Sequence, residues 1–385
     1  MATAKKNENI KKVVNVIREN ASPQYQNAVP LMTAKSEITD LSNPVMSYSI
    51  VKNEFVDNLI NVIGMTIFTK MEEYNSPLKL LKKGEKPLGI DVREIASELL
   101  QKHEYKLNDD LLAQSLKLEP PVLHEAFHRL NRKDYYQISI SNEELRLAFD
   151  SWDSLEQLVV DKATILYNSN YVDEYKYSKD LLTGTVQKGN VTIFDLSLPS
   201  TDTTSKAYIK AIKNAVSDFK HPSTAYTQFA NMEDVPENQK LTTWTKPEDS
   251  IVITTSRILN DLAVDEMAVA FNKDELAFKS GNTVDVDTLG YVRFKDDEET
   301  IHYYSLDTIV CDKAFTQIYD DLLELWEMQI ASAMIFQRFL HVWQIYSTSP
   351  FVNVRSFVHE VEESDIPEGY FDGQSEDDIP VIVIH

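Results

Sequence analysis

The stretch SNEELRLAFDSWDSLEQLVVDKATILYNSNYVDEYKYSKDLL, Ser141 to Leu182, decides how the rest of the chain is arranged. Ser141 with Glu144 three residues later is a capping-box start, and Glu143 and Glu144 put negative charge where a helix N-terminus favours it. Apolar residues recur at Ala148, Trp152, Leu155, Val159, Ala163 and Leu166, a helical period with one buried stripe. No Pro or Gly interrupts before Gly184. A helix of about 40 residues spans roughly 60 Å, more than a compact domain needs. The expectation is a spine on which sheets lie. The alternatives are a plain core helix and a coiled-coil segment, and the stripe lacks the 3.5-residue repeat with charged flanks of the latter.

Working toward the N-terminus, YYQISI (Tyr135–Ile140) reads as a strand leading into the spine. Leu107–Leu130 reads as helical, interrupted at Pro120 and Pro121, and Ile90–His103 as a further helix. Before them SPLKLLKKGEKPLG (Ser76–Gly89) is a turn-rich projection carrying Lys79, Lys82, Lys83 and Lys86. MTIFTKMEEY (Met65–Tyr74) alternates like a strand, and Phe55–Ile63 like a helix closed by Gly64. Residues 1–20 are basic and helix-compatible. Residues 21–50, broken by Pro23, Pro30 and Pro44, read as an extended arm tied down by neighbours.

Beyond the spine the pattern alternates. Val191–Leu198 is a strand, Ser205–Phe219 a helix, Ser250–Ser256 a buried strand, and Ile258–Phe271 and Asp274–Phe278 helices. Strands follow at Thr283–Gly290, Tyr291–Phe294 and Ile301–Cys311, then a helical Ala314–Leu325. Trp326–Tyr346 is aromatic, with a single Arg (Arg338) among the rings, so core packing or a subunit contact fits better than base stacking. A last strand, Phe351–Val361, precedes an acidic tail ending IPVIVIH, a β-branched run that either folds back or is donated to a neighbour.

A chain of 385 residues with 43% hydrophobic content is long enough for two or three lobes with real cores. Its formal charge of -23 repels nucleic acid unless positive charge is segregated. Cys311 is the only cysteine, so no intrachain disulfide forms, which fits a cytosolic origin. No apolar run reaches the ~18 residues of a membrane span, and no secretory h-region is visible.

Chemistry-bearing motifs are few. HEAFH (His124–His128) fits H-E-x-x-H, in which two histidines one helical turn apart bind zinc and Glu125 serves as base. A third ligand is missing downstream, since Glu143 and Glu144 already open the spine. The zinc hydrolase is carried as the alternative. Gly84–Gly89 and Gly184–Gly189 have phosphate-loop spacing without the Lys and Ser/Thr that must follow. Cys311, in an apolar strand, reads as an inert thiol.

The strings SPLKLLKKGEKPLG (from Ser76), HEAFHRLNRKDYY (His124), LRLAFDSW (Leu145), LYNSNYVDEYKY (Leu166), LAVDEMAVAFN (Leu262), IVCDKAFTQIYDDL (Ile309) and HVWQIYSTSPFVNV (His341) occur in an order that resembles the major capsid proteins of tailed phages, and within them the phi-29 group. The resemblance implies the α+β Hong Kong 97-type fold. Residues 1–53 would be the N-terminal arm, 54–140 the entry helix and extended loop, and 141–201 the spine and strand of the peripheral domain. Residues 202–300 would be the axial domain, 301–361 the returning strands and 362–385 the tail. It implies no catalysis, metal or cofactor. It also implies hexamers and pentamers of a shell, a scaffolding protein, a portal or connector, and packaged double-stranded DNA held without sequence-specific contacts. The subunit would assemble in the bacterial cytoplasm and end in the virion. Within that frame Lys79, Lys82, Lys83 and Lys86 are expected to meet Asp150, Asp153 or Glu156 of an adjacent subunit.

Overall fold

The computed structural model describes residues 2–66, 75–87, 89, 91–100, 102, 121–200, 202–232, 235, 240–261, 283–296, 298–330, 332–375 and 379–381. Four helices open the chain: α1 (Ala2–Asn20), α2 (Pro23–Ala28), α3 (Ile38–Ser47) and α4 (Ser49–Thr66). A 3-10 turn (Pro77–Leu81) leads to β1 (Lys82–Glu85), β2 (Val92–Ser97), β3 (Leu123–His128) and β4 (Arg132–Ser141). Next come α5 (Asn142–Ala148), the spine α6 (Trp152–Gln187), β5 (Thr192–Asp195) and α7 (Asp202–Lys220). The remainder is β6 (Ser250–Thr255), α8 (Ser256–Asp261), β7 (Thr283–Val286), β8 (Tyr291–Lys295), β9 (Ile301–Asp312), β10 (Thr316–Ile330), β11 (Ile335–Thr348) and β12 (Val354–Val361).

The chain divides into two units. Unit 1 comprises residues 1–76, 132–174 and 322–343; unit 2 comprises 77–131, 175–321 and 344–385.

In unit 1 the expected capping box is present: Ser141 Oγ accepts from the Glu144 N–H (3.1 Å) and the Glu144 carboxylate accepts from the Ser141 N–H (3.0 Å). The single long helix is nevertheless two. Ser151 is a second N-cap inside the stretch, its Oγ accepting from the Ser154 N–H (3.1 Å), and the chain turns at Phe149–Asp150 before α6 starts. Within residues 21–50, read as an extended arm, Pro23–Ala28 and Ile38–Ser47 are helical, and 29–37 is an irregular connection. Tyr25, Leu41 and Val45 pack with Val14 and Ile17 of α1, Phe55 and Leu59 of α4, and Leu145 and Leu155, all at most 1% exposed. Pro23 stands in the first turn of α2, where its missing N–H costs nothing, and Pro44 lies inside the short α3, a costly position that does not keep Leu41 and Val45 out of the core. The far ends of β10 and β11 and the strand β4 lie in the order β10-β11-β4. Leu340, Val342, Tyr136 and Ile138 turn one face of this sheet onto Leu166 and Tyr167 of α6.

Unit 2 is built on a sheet of order β5-β12-β9-β6-β7, with β8 also on β9. β12 pairs parallel with β5 and antiparallel with β9, and β6 pairs antiparallel with β9 and parallel with β7. Strand alternation sorts the side chains. Val252, Val310 and Phe357 face α7, against Tyr208, Ile212, Ala215 and Phe219. Ile251, Ile253, Ile309, Cys311, Val354 and Val358 face Leu182 and Val186 of α6. Cys311 is fully enclosed there and burial pushes its thiol pKa well up, in keeping with an inert side chain.

Three expected helices are strands. Ala314–Leu325 runs through β10, because Lys82–Glu85 lays a parallel ladder along it (Lys82↔Ile318, Glu85↔Asp320) and Thr316–Ile318 are buried. Ile90–His103 and the end of Leu107–Leu130 form the hairpin β2–β3. The helix expected to close at Gly64 runs on through Met65 and Thr66, so the expected strand Met65–Tyr74 does not begin there; residues 67–74, most of Ile258–Phe271 and all of Asp274–Phe278 lie outside the described residues.

Candidate assembly surfaces

The HEAFH segment is β3, not a helix, and this removes the zinc reading. In a strand, residues i and i+4 stand about 13 Å apart, twice the reach of one helical turn. Each histidine is also committed separately. His124 Nε2 pairs with Glu98 (2.9 Å), while His128, 2% exposed, shares hydrogen bonds with Glu94 through Nε2 (3.1 Å) and with Ser347 Oγ through Nδ1 (2.7 Å). Ser349 Oγ donates to the other Glu94 oxygen (2.8 Å). Ser347, His128 and Glu94 stand in the order of a nucleophilic triad. The imidazole is sealed, however, and the set fastens the root of the hairpin to β11. Among the described residues no three His, Cys, Asp or Glu side chains converge as metal ligands.

The hairpin has two unlike faces. In the register Arg93↔Phe127, Ile95↔Glu125 and Ser97↔Leu123, these six residues share one face, and Val92, Glu94, Ala96, His124, Ala126 and His128 share the other. The second face is half-buried or buried, with His124 against Phe229 (4.5 Å between ring centroids). The first face is open: Ile95 is 51%, Leu123 54% and Phe127 53% exposed, beside an Arg93–Glu125 ion pair. Three apolar side chains held outward on a ribbon anchored by its opposite face form a surface for contact. Alternation in HEAFH was its sequence signal, and the metal spacing obscured it.

A second open face belongs to unit 1. On the side of the sheet away from α6, Tyr135, Phe339 and His341 cluster (ring centroids 5.9–6.5 Å), Trp326 meets His341 edge-on, and Lys133 lies over Trp343 at 5.2 Å. Trp326 and Tyr135 are each 61% exposed. The aromatic stretch thus divides by strand alternation, with Phe336, Leu340 and Val342 inward and Trp326 outward.

The lysines do not form a free tip. Lys82 pairs with Asp320 (2.9 Å) and Lys86 with Asp321, both on the chain's own β10. Lys83 Nζ donates to the Lys313 carbonyl (2.5 Å), and burial lowers its pKa. Lys82, Lys83 and Lys86 thus each have a partner on their own chain. Lys79 is exposed. Asp150 and Asp153 are exposed at the α5–α6 junction, and the Glu156 side chain lies outside the described residues.

A two-unit α+β chain, with a spine helix, a mixed sheet and an amphipathic hairpin presenting apolar side chains outward, has the architecture of a phage capsid subunit. The capsid of Staphylococcus phage Andhra shares this fold, with a TM-score of 0.56 over 72% of this chain and 83% of that one at 14% identity. A chain in the structure of head fiber and inner core protein gp22 of native bacteriophage P68 gives 0.53, over 74% and 84%, also at 14% identity. The chain belongs to the Phi29-like phage major capsid protein family, whose model matches residues 14–358. The major capsid protein of Bacillus phage PZA is 27% identical over 346 residues, covering 90% of this chain and 72% of that protein. That of Streptococcus phage Cp-1 is 25% identical over 274 residues, covering 68% and 72%. The family is structural and non-enzymatic, and its members build the homo-oligomeric shell of the virion. No helix among the described residues is long and apolar enough to cross a membrane.

Proposed function

We propose that this chain assembles as hexamers and pentamers into a closed icosahedral or prolate shell, around a scaffolding protein and with a portal or connector at one vertex. The shell encloses double-stranded DNA without reading its sequence. Assembly takes place in the host bacterial cytoplasm. The observation that carries the reading is the β2–β3 hairpin, fastened to its own chain on one face and apolar on the other, a form that a lone subunit leaves uncovered and a symmetric neighbour covers. The hairpin serves as the extended loop, the spine and returning strands as the peripheral domain, and the 202–300 region as the axial domain. A charge of -23 supports passive containment, because a net-negative wall repels packaged polyanion instead of gripping it. Between subunits, Lys79, Lys82, Lys83 and Lys86 face Asp150, Asp153 or Glu156 of a neighbour, with Lys79, Asp150 and Asp153 exposed for that contact.

Sedimentation of the purified chain, with and without a co-expressed scaffolding protein, followed by negative-stain imaging of the heavy fractions, tests this. Closed shells or hexamer-sized rings are expected. A monomer or dimer under both conditions overturns it.

A further inference from the structure

The sheet of unit 2 would end in an open backbone edge at β8, and the chain closes that edge. β8 pairs with β9 on one side only, Tyr291↔Ser305 through Lys295↔Ile301. On the other side every second residue turns its N–H outward, a ready template for a further strand. Each of those groups has a partner here. The Tyr291 N–H donates to Tyr370 Oη (3.1 Å). The Arg293 N–H donates to Gln187 Oε1 (2.9 Å), and Gln187 Nε2 donates back to the Arg293 carbonyl (2.8 Å), so one side-chain amide imitates a strand. The Lys295 N–H donates to the Pro380 carbonyl (3.0 Å), and Val381 bridges Lys295 in parallel. Two of the three partners come from the segment after β12.

That segment is fixed at several further points. Tyr370 meets Tyr291 edge-on at 5.3 Å, Phe371 lies under the Arg293 guanidinium at 4.8 Å, and the Gln374 carbonyl accepts from Arg293 Nη2 (3.1 Å). Ile379 is 6% exposed. Gly290, at φ 109°, leaves room for the Tyr370 hydroxyl, which a Cβ would strike. The IPVIVIH run therefore folds back as far as Val381, and residues 382–385 lie outside the described part.

We propose that the outer edge of β8 is a strand-docking site occupied by residues 367–375 and 379–381, and that this part of the same chain keeps the edge from pairing with a second copy. Released, the edge presents the Tyr291 and Lys295 N–H groups, about 13 Å apart, with the Gln187 amide still seated on Arg293 between them, a site that a partner strand must share with or take from that side chain. The chemistry that fits is specific: a phenol at one end of the edge and a carbonyl of an extended segment at the other.

The test cuts the chain after Ile366 and adds a labelled peptide spanning residues 367–381, without scaffolding protein. The cut chain is expected to form larger, concentration-dependent species of irregular form, to bind the peptide at least tenfold more tightly than the intact chain does, and to regain the intact chain's sedimentation when saturated with it. A cut chain with unchanged circular dichroism that sediments like the intact one and binds the peptide no better overturns the proposal. Should the cut chain not fold, the full-length Tyr370→Ala, Phe371→Ala variant replaces it. Peptide binding above that of the parent supports the docking site, and equal binding refutes it.

Discussion

Replacing Phe127 by Ser removes the largest apolar side chain from the open face of the hairpin while leaving the anchored face untouched. A covered Phe buries about 150–250 Å². With Phe127 53% exposed, roughly 100 Å² remains for a neighbour to cover. At about 25 cal/mol per Å² that area supplies about 2.5 kcal/mol per contact. This corresponds to roughly a 60-fold weaker pairwise association for Phe127→Ser, at 1.4 kcal/mol per decade. The assay is the threshold concentration for shell formation, read by light scattering and sedimentation. The control is thermal unfolding of the unassembled chain. The threshold is expected to rise by about that factor, while the midpoint falls by no more than about 5 °C, because the half of the side chain already covered is worth about 2 kcal/mol by the same count. An unchanged threshold with normal shells refutes the reasoning. A large drop in the midpoint refutes it differently, by placing Phe127 in the subunit's own core.

In unit 1, Phe55→Ala empties a fully buried site whose ring lies 5.4 Å from Phe149, and is expected to cost about 3–5 kcal/mol in denaturant unfolding. The Ser141 N–H first, and Lys162 after it, hold the Glu144 carboxyl below the usual carboxylate range. Its contribution is present above the unfolded value of about 4.3 and is lost as pH falls through the lower folded value, so Glu144→Gln should flatten the acid limb of a stability-against-pH curve. His302 runs the other way: its bond to Glu360 (2.8 Å), seconded by Asp296, raises its pKa. That contribution is whole below about 6.5 and is lost as pH rises through the higher folded value. An NMR titration should find the raised midpoint, returned toward normal by Glu360→Gln.

What the sequence made legible was local. The Ser141/Glu144 box needs four residues, and the stripe through Trp152, Leu155 and Leu166 needs a few turns, so both were visible without knowing the fold. The break between α5 and α6 was also written locally, at Ser151, but an N-cap inside an apolar-periodic stretch reads as one more helical residue until a turn precedes it. β10 was illegible for the opposite reason. AFTQIYDDLLEL is acceptable as a helix, and what makes it a strand is a ladder from residues more than 230 positions earlier. The lysines show the same limit for the site. Four cations near a turn announce a need for anions, but whether Asp320 of the same chain or Asp150 of another supplies them depends on the pairing of β1 with β10.

The surfaces left open and the surface closed follow one physical distinction. Side-chain faces such as Ile95, Leu123 and Phe127, or Trp326 with Tyr135, reward only a partner of matching shape, so exposing them favours a single geometry. A backbone edge rewards any extended segment in any register, because the N–H and carbonyl spacing is the same in every strand. A shell tolerates no such latitude, since each subunit must meet its neighbours at one angle many times over. Polar closure of β8 by Tyr370, Gln187 and Pro380, beside apolar faces left bare, is the distribution that separates ordered assembly from edge-to-edge aggregation.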